Sequence, residues 1–488
     1  MENTAIKELW ESIKQGMSIN PCHHKMYQIL AEYYRAIGRD EQAYISLKQA
    51  MLYCNDELDR ADISAKLSDL ESAGIKVPGT AIVLLSWNLK EYTAQCINSI
   101  RQTTLSEDTQ IIVVDNASTD GSAEWLKSQD DLIVRLNDTN DGFPKGCNEG
   151  IELADPEADI FLLNNDTVLP PNALFWLKIG LYEDTKIGSC GSMSNYVSND
   201  QMIDVDFDSP GSVLDYAIKN NIPMDHPYIP KIYLVGFALL MKRTVLDEIG
   251  LLDERFSPGN SEDVDIGVRM RIAGYENILC KNSTILHFGS QSFSKLGDEF
   301  KSVMLKNIDK LNDKYHANMR YYLFPRKELV SHFDSDADDP IRVLDIGCGM
   351  GAILALIRGL YPNAEVHGIE IVPDIARIAA SVGDVICGDV EKLDFPYDED
   401  YFDYCVMGDV LEHLHEPIDV LKKLTKYMKP DGRIILSMPN VKHWSVMLPL
   451  IMQDKFTYED AGILDRTHLK MYTKSEILKL VKNAGLDI

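Results

Sequence analysis

Asn164, Asn165 and Asp166 stand directly after an unbroken apolar run, Ile160 to Leu163. A carboxylate there can bind a divalent cation, and hard cations take one or two carboxylates together with substrate phosphates. The same residue types also end strands without any ligand, because Asn and Asp bond their own backbone. A second acidic set, Glu262, Asp263 and Asp265, leads the run VDIGVRMRIAGY. Carboxylates complement a helix dipole at such a place; one of them can also serve as a base that takes the proton of an attacking hydroxyl. A third set opens with Gly347, Gly349 and Gly351 after Val343–Ile346. A loop of this spacing lets backbone approach a nucleotide-like ligand, a dinucleotide included. Glu370 ends the next apolar run, placed for two ribose hydroxyls. Asp389, Asp409, Glu412 and His413 follow it.

These residues need rigid elements behind them. Ala81 to Asn88, Ile111 to Val114, residues 132–137 and Ile160 to Leu163 are short apolar runs without alternation, as in buried strands of a parallel sheet. Helical stretches separate them, so the region is expected to be a doubly wound α/β domain. In such sheets ligands bind beyond the carboxyl ends of the strands, which is where Asp115 and Asp166 emerge. Residues 1–77 carry no strand signal. Tyr27, Leu30, Ala31, Tyr34, Gly38, Ala43, Leu47 and Ala50 follow the spacing of one tetratricopeptide repeat. That helical hairpin can be a packing cap or a docking surface for a protein partner. Lys76–Gly79 marks the first boundary, and the acidic, proline-ended SHFDSDADDP (331–340) reads as a linker.

Composition narrows the classes. A chain of 488 residues holds several domains. A net charge of −28 argues against nucleic acid or an anionic membrane as a general partner. Nine scattered cysteines without a CxxC pair suit a reducing cytoplasm. No apolar run approaches a membrane span, and the charged N-terminus has no signal-peptide core.

The series SWN, VVDNASTDGS, NDGFPKGCNEGI, LLNNDTVLP and GNSEDVDIGVRMRIAGY resembles the inverting, nucleotide-sugar-dependent glycosyltransferases of family 2, of GT-A fold, over residues 78–299. The resemblance implies a donor site of Ser86, Asn88, Asp115, Asn116, Asn148, Asn164, Asn165 and Asp166, with Asp115 on the base or ribose. Asn164 and Asp166 occupy the two ends of the family's DxD motif in an NxD form. Asp166 then holds Mn²⁺ or Mg²⁺, and His287 of ILHFGSQSF joins it as a second ligand. Asp263 is implied as the catalytic base in preference to Asp265, with Glu262 orienting the acceptor or the local backbone.

From residue 341 to 488 the order D-x-G-x-G-x-G, Glu370, Gly388–Asp389 and DVLEHL resembles the class I S-adenosylmethionine-dependent methyltransferases. The resemblance implies a cofactor site of Asp345, Gly347, Gly349, Gly351, Glu370, Asp389 and Asp409. His413 is either a base for a sugar hydroxyl or a histidine satisfied within its helix. LDRTHLKMYT resembles a stretch of surface-glycan methyltransferases, where Arg466 and His468 would meet the acceptor. This fold would normally continue past LKLVKNAGLDI with two more strands, so a domain incomplete at its C-terminus is expected.

The expectation is an α/β multidomain chain: a tetratricopeptide-like helical segment (1–77), the GT-A domain (78–299), a helical extension and linker (300–340) and a Rossmann-like methyltransferase domain (341–488). It would be a cytoplasmic bifunctional enzyme that adds a sugar to a glycan or glycoprotein, of surface-polysaccharide, flagellin or surface-layer type, and O-methylates that glycan. The alternative is a scaffold that docks a partner through its repeats.

Overall fold

The structure is a computed structural model and describes residues 2–289 and 297–488, so the last residues of ILHFGSQSF lie outside it. The chain divides into two compact units, Met1–Met319 and Arg320–Ile488. Among the described residues no helix is long and apolar enough to cross a membrane.

The first unit opens with four helices: α1 (Glu2–Ile19), α2 (His24–Ala36), α3 (Asp40–Tyr53) and α4 (Glu57–Ser72). Gly38, at φ +74°, turns the chain between α2 and α3 in a conformation that costs other residues strain. Asp56 caps α4 by accepting the Asp59 N–H at 2.9 Å. Their inner faces do not form a separate core. Ile13, Tyr27, Leu30, Ala43 and Leu47 pack in one cluster with Phe175, Trp176 and Ile179 of the helix Ala173–Leu181. Burying each such large side chain contributes roughly 1.5–3 kcal/mol. The Tyr27 hydroxyl also donates to Asn172 Oδ1 at 2.7 Å. The helical segment is therefore a packing cap on the sheet that follows.

That sheet contains β1 (Thr80–Ser86), β2 (Thr109–Asn116), β3 (Leu132–Asn137), β4 (Asp159–Leu163), β5 (Thr167–Val168), β6 (Ile187–Ser194), β7 (Tyr228–Lys231), β8 (Ala238–Met241) and β9 (Glu276–His287). The order is β3-β2-β1-β4-β8-β6-β9-β5, with β7 also on β9. β3, β2, β1 and β4 are mutually parallel, so their carboxyl ends share one edge. β8 runs antiparallel to β4, and β5 antiparallel to β9 with Thr167 opposite His287. Tyr233 to Phe237 stay irregular, and regular pairing starts at Ala238.

The helix Gly297–Tyr315 belongs to this unit: Asn307 Nδ2 donates to the Phe256, Gly259 and Asn260 carbonyls at 2.7 to 3.0 Å. The second unit is a parallel sheet, β12-β11-β10-β13-β14, built of β10 (Arg342–Ile346), β11 (Glu365–Glu370), β12 (Asp384–Cys387), β13 (Phe402–Gly408) and β14 (Met428–Ser437). The acidic stretch before it is docked rather than loose. Phe333 stacks on Tyr404 with centroids 4.0 Å apart, and the Tyr404 hydroxyl donates to Asp334 Oδ1 at 2.6 Å.

Candidate active sites

The carboxyl edge of the first sheet gathers the side chains of the nucleotide-sugar pattern. Asp115, next to last in β2, accepts from the Ser118 hydroxyl at 2.5 Å and the Ser118 N–H at 2.9 Å. Asn88, at φ +56°, donates its N–H to Ser118 Oγ at 2.6 Å and accepts the Thr119 N–H at 2.9 Å. The loops after β1 and β2 are thus tied into one wall. Ser86 is buried at the end of β1, 3.5 Å from Thr93 Oγ1. Asn116 and Asn148, expected among the donor contacts, spend their amides inside the protein. Asn116 Nδ2 donates to the Gly142 carbonyl at 3.2 Å, and Asn148 exchanges bonds with the Leu252 backbone at 2.9 and 3.0 Å. Asn165 likewise turns inward, to Thr93 Oγ1 at 2.9 Å.

Asp166 and His287 meet because β5 pairs with β9. His287 Nδ1 faces the Tyr196 carbonyl at 2.8 Å. A carbonyl only accepts, so Nδ1 carries the ring proton. Nε2 is left turned to Asp166 Oδ1 at 3.1 Å and Asn164 Nδ2 at 3.5 Å. Asn195 brackets the His287 backbone from both sides at 3.0 Å, and Phe237 stacks under the ring at 5.3 Å. A nitrogen lone pair against a carboxylate requires a positive charge between or upon them, a proton or a metal. Second partners of this kind orient metal-ligating histidines, so the pair fits a divalent cation.

The three carboxylates of the helix Glu262–Ile272 separate by environment. Asp265 is fully buried and neutralised by Arg269 Nε at 2.8 Å, Lys314 Nζ at 2.5 Å and the Tyr315 hydroxyl at 2.8 Å. Its charge is balanced within the protein, by partners on two helices. Asp263 is half-buried and accepts the Gly236 N–H at 3.2 Å and the Val264 N–H at 2.8 Å. Burial raises its carboxyl above the usual range. Glu262 is buried, and its Oε2 has no hydrogen-bond partner among the described residues. Burial first, then the charge of Asp263, pushes it up to about 8. Gly236 and Phe237 join this acid pair to the cation pair. Gly236 donates to Asp263, the Phe237 carbonyl accepts the Asn164 N–H at 2.8 Å, and the Phe237 ring supports His287.

In the second unit Gly347, Gly349 and Gly351 all have positive φ, +72°, +56° and +84°. Glu370 ends β11 and accepts the Gly349 N–H at 3.0 Å and the Val372 N–H at 2.9 Å, which fixes its carboxylate beside the loop. Asp345 is buried with Oδ2 unpartnered among the described residues; burial, then Glu370, holds its carboxyl well above the usual range. A buried carboxyl without a partner beside a glycine cradle would gain its counter-charge from a ligand with a cationic amine or sulfonium, so the residues fit S-adenosylmethionine. Asp389 is paired with Lys392 at 2.8 Å, which lowers its carboxyl. Asp409, at φ +54°, accepts from Ser437 Oγ at 2.8 Å and pairs with Arg326. His413 lies on a short 3-10 turn, Leu411–His413, with Nδ1 on the Thr467 carbonyl at 3.2 Å; the residue is exposed, and partial desolvation of its ring lowers its pKa below the ordinary range. Arg466 is exposed and paired with Asp460 at 3.0 Å.

Several partners have no signature in the sequence. Asn195 and Tyr196 from one segment and Phe237 from another frame His287. Tyr322 presses its ring onto the glycine loop, where a Cβ at Gly349 would lie 2.7 Å from it. Only the aromatic and basic cluster YYLFPR, 321–326, hinted at such a role.

Residues 81–250 match the family model for glycosyl transferase family 2, and residues 315–488 that for a methyltransferase domain. The second region is 29% identical over 155 residues to a ubiquinone biosynthesis O-methyltransferase of Neisseria meningitidis, over 30% of this chain and 64% of that protein. It is 26% identical over 204 residues to a demethylmenaquinone methyltransferase of Bacillus cytotoxicus, over 37% of this chain and 85% of that one. Among solved structures, a mannosyltransferase of Pyrobaculum calidifontis in complex with GDP-Man and Mn2+ is 14% identical, over 56% of this chain and 75% of that one, with a TM-score of 0.35. With their motifs in order and their glycine loop and strand-end carboxylates in place, the two units are a family 2 glycosyltransferase domain and an S-adenosylmethionine-dependent methyltransferase domain carried on one chain.

Proposed function

We propose that the first unit transfers a sugar, with inversion, from a nucleotide-sugar donor to a hydroxyl of a glycan or glycoprotein acceptor. The observation that carries this is the bridge at Gly236–Phe237, which holds Asp263 and the Asp166–His287 pair on one short segment. Inverting displacement needs a base on the face opposite the leaving diphosphate. Asp263 takes the proton of the acceptor hydroxyl as its oxygen attacks the anomeric carbon. Its raised carboxyl brings it nearer to neutral pH, which suits proton abstraction. Glu262 stays protonated below about pH 8 and so adds no repelling charge. Asp166 and His287 would hold Mn²⁺ or Mg²⁺, which supplies charge stabilisation for the departing diphosphate. Asp115 and Asn88 form the wall for the base and ribose.

The second unit would methylate a hydroxyl. Glu370 anchors the cofactor ribose, the glycine loop admits its backbone contacts, and Asp345 faces its cationic end. S-Adenosylmethionine, once bound there, supplies the methyl cation equivalent. A glycan acceptor is the first reading, since one chain raises the effective concentration of the second site for the first product. The relatives named for quinone methylation favour a second reading, in which the acceptor is unrelated to the sugar. Incubating the chain with a panel of nucleotide sugars, S-adenosylmethionine and synthetic glycan or phenolic acceptors tests both. Methyl transfer to phenols alone contradicts the glycan reading, and no donor turnover at all contradicts the glycosyltransferase reading.

A further inference from the structure

Glu412, His413 and His468 converge in the second unit in an arrangement that the fold does not account for. Glu412 is 1% exposed, and both its carboxylate oxygens lack a hydrogen-bond partner among the described residues. An ionised carboxylate buried without partners is costly, so such a group normally finds a donor or a cation. Its neighbours do not supply a donor. The His468 side chain is 7% exposed, and its Nδ1 faces the Ile463 carbonyl at 3.0 Å. His413 Nδ1 faces the Thr467 carbonyl at 3.2 Å. Both carbonyls can only accept, so each Nδ1 bears the ring proton and each Nε2 presents a lone pair. His468 Nε2 lies 4.0 Å from Glu412 Oε1, too far for a hydrogen bond. The two rings stand 4.8 Å apart at 72°, and one ligand atom from each of the three residues lies within 4.8 Å of the others.

Three acceptors thus face one point. We propose that this point is a binding site for a first-row divalent transition metal, held by Glu412, His413 Nε2 and His468 Nε2. Two imidazoles and one carboxylate suit Zn²⁺ and its neighbours better than Mg²⁺ or Ca²⁺, which prefer all-oxygen shells. Zinc bonds of about 2.0–2.2 Å place ligand atoms roughly 3–3.5 Å apart. Closing the widest separation, up to 4.8 Å, to that spacing takes more than an ångström, which a side-chain rotation of exposed His413 supplies. The backbone carbonyls on both Nδ1 atoms are the outer partners that fix ligating tautomers. Three protein ligands leave an open position, and the exposed His413 marks the side on which it faces solvent. A substrate oxygen could enter there. Asp409, three residues before Glu412, is taken by Arg326 and Ser437 and is not a ligand. The site stands on its own geometry. Only its use, to acidify an acceptor hydroxyl for methyl transfer, rests on the methyltransferase reading.

The test uses the full chain carrying Asp166→Ala, so that the cation position in the first unit does not contribute. Zn²⁺ is titrated calorimetrically, bound metal is counted after desalting, and Co²⁺ is added to read its d–d absorption. S-Adenosylmethionine binding is measured on the same samples. One Zn²⁺ equivalent is expected, its affinity falling about 100-fold or more in Glu412→Gln and His468→Ala. His413→Ala, at an exposed position, is expected to weaken it without changing the melting midpoint, which separates loss of a ligand from loss of fold. No bound equivalent, or the same affinity in all three variants, overturns the site. Zn²⁺ bound without S-adenosylmethionine binding contradicts the methyltransferase reading and leaves the metal site standing. The reverse result removes the metal site alone.

Discussion

The two units place acidic side chains at the carboxyl edges of parallel strands, yet they treat them differently. In the first unit the critical acids are sorted by partner within a single helix turn. Asp265 is buried and neutralised by a lysine, an arginine and a tyrosine, while Asp263, two residues earlier, keeps only backbone N–H contacts and a raised carboxyl. In the second unit Glu370 is fixed by backbone N–H groups, and the Glu412 carboxylate has no hydrogen-bond partner among the described residues. Residue type and depth do not distinguish a structural carboxylate from a working one. The presence or absence of a compensating cation does.

The largest effect that would break this contrast comes from exchanging roles within the helix. Asp263→Asn should lower sugar transfer by about 10²–10⁴-fold, the usual contribution of a general base, with the donor dissociation constant unchanged in calorimetry. Asp265→Asn should act on the fold, because removing one partner of a buried ion pair costs about 3–5 kcal/mol; denaturant unfolding reads this. Equal effects of both changes on turnover, with neither altering stability, would erase the distinction. In the second unit Glu370→Ala should weaken S-adenosylmethionine binding about 10- to 100-fold, as expected for charge-assisted hydrogen bonds. Gly349→Ala should cost about 1–2 kcal/mol for its left-handed backbone, with more from the Tyr322 ring 2.7 Å from the new Cβ.

A further effect is a pH slope. Glu262 is raised from 4.5 to about 8 in the folded chain. Below about pH 4.5 it is protonated in both states. Between there and about 8 only the unfolded chain ionises, so stability falls as pH rises through that window. Glu262→Gln should flatten this slope in melts taken from pH 5 to pH 8. An unchanged slope would assign it to other groups.

Much of this was legible along the chain. The run DIFLL followed by Asn164–Asp166, the strand that carries Asp115 near its carboxyl end, and the glycines after Ile346 all lie where periodicity and strand-end logic put them. Contacts between distant segments were not. Asp265 is removed from candidacy by Lys314 and Tyr315, about fifty residues later on another helix, and no spacing signals that. His468 reaches Glu412 from 56 positions away. The helical segment 1–77 was undecided between cap and docking surface because its small residues suit either. Phe175 and Trp176, which complete its core, belong to a helix of the sheet domain.

The most direct test is metal-dependent release of nucleotide from a nucleotide-sugar donor, followed with Mn²⁺ or Mg²⁺ in the wild-type chain and in Asp166→Ala. Release from one donor that needs the cation, falls by about two orders of magnitude or more without Asp166, and yields a product of inverted anomeric configuration by NMR is the predicted result. Donor turnover that persists in Asp166→Ala, or that ignores chelation, would contradict the assignment of the Asp166–His287 pair as the catalytic cation site.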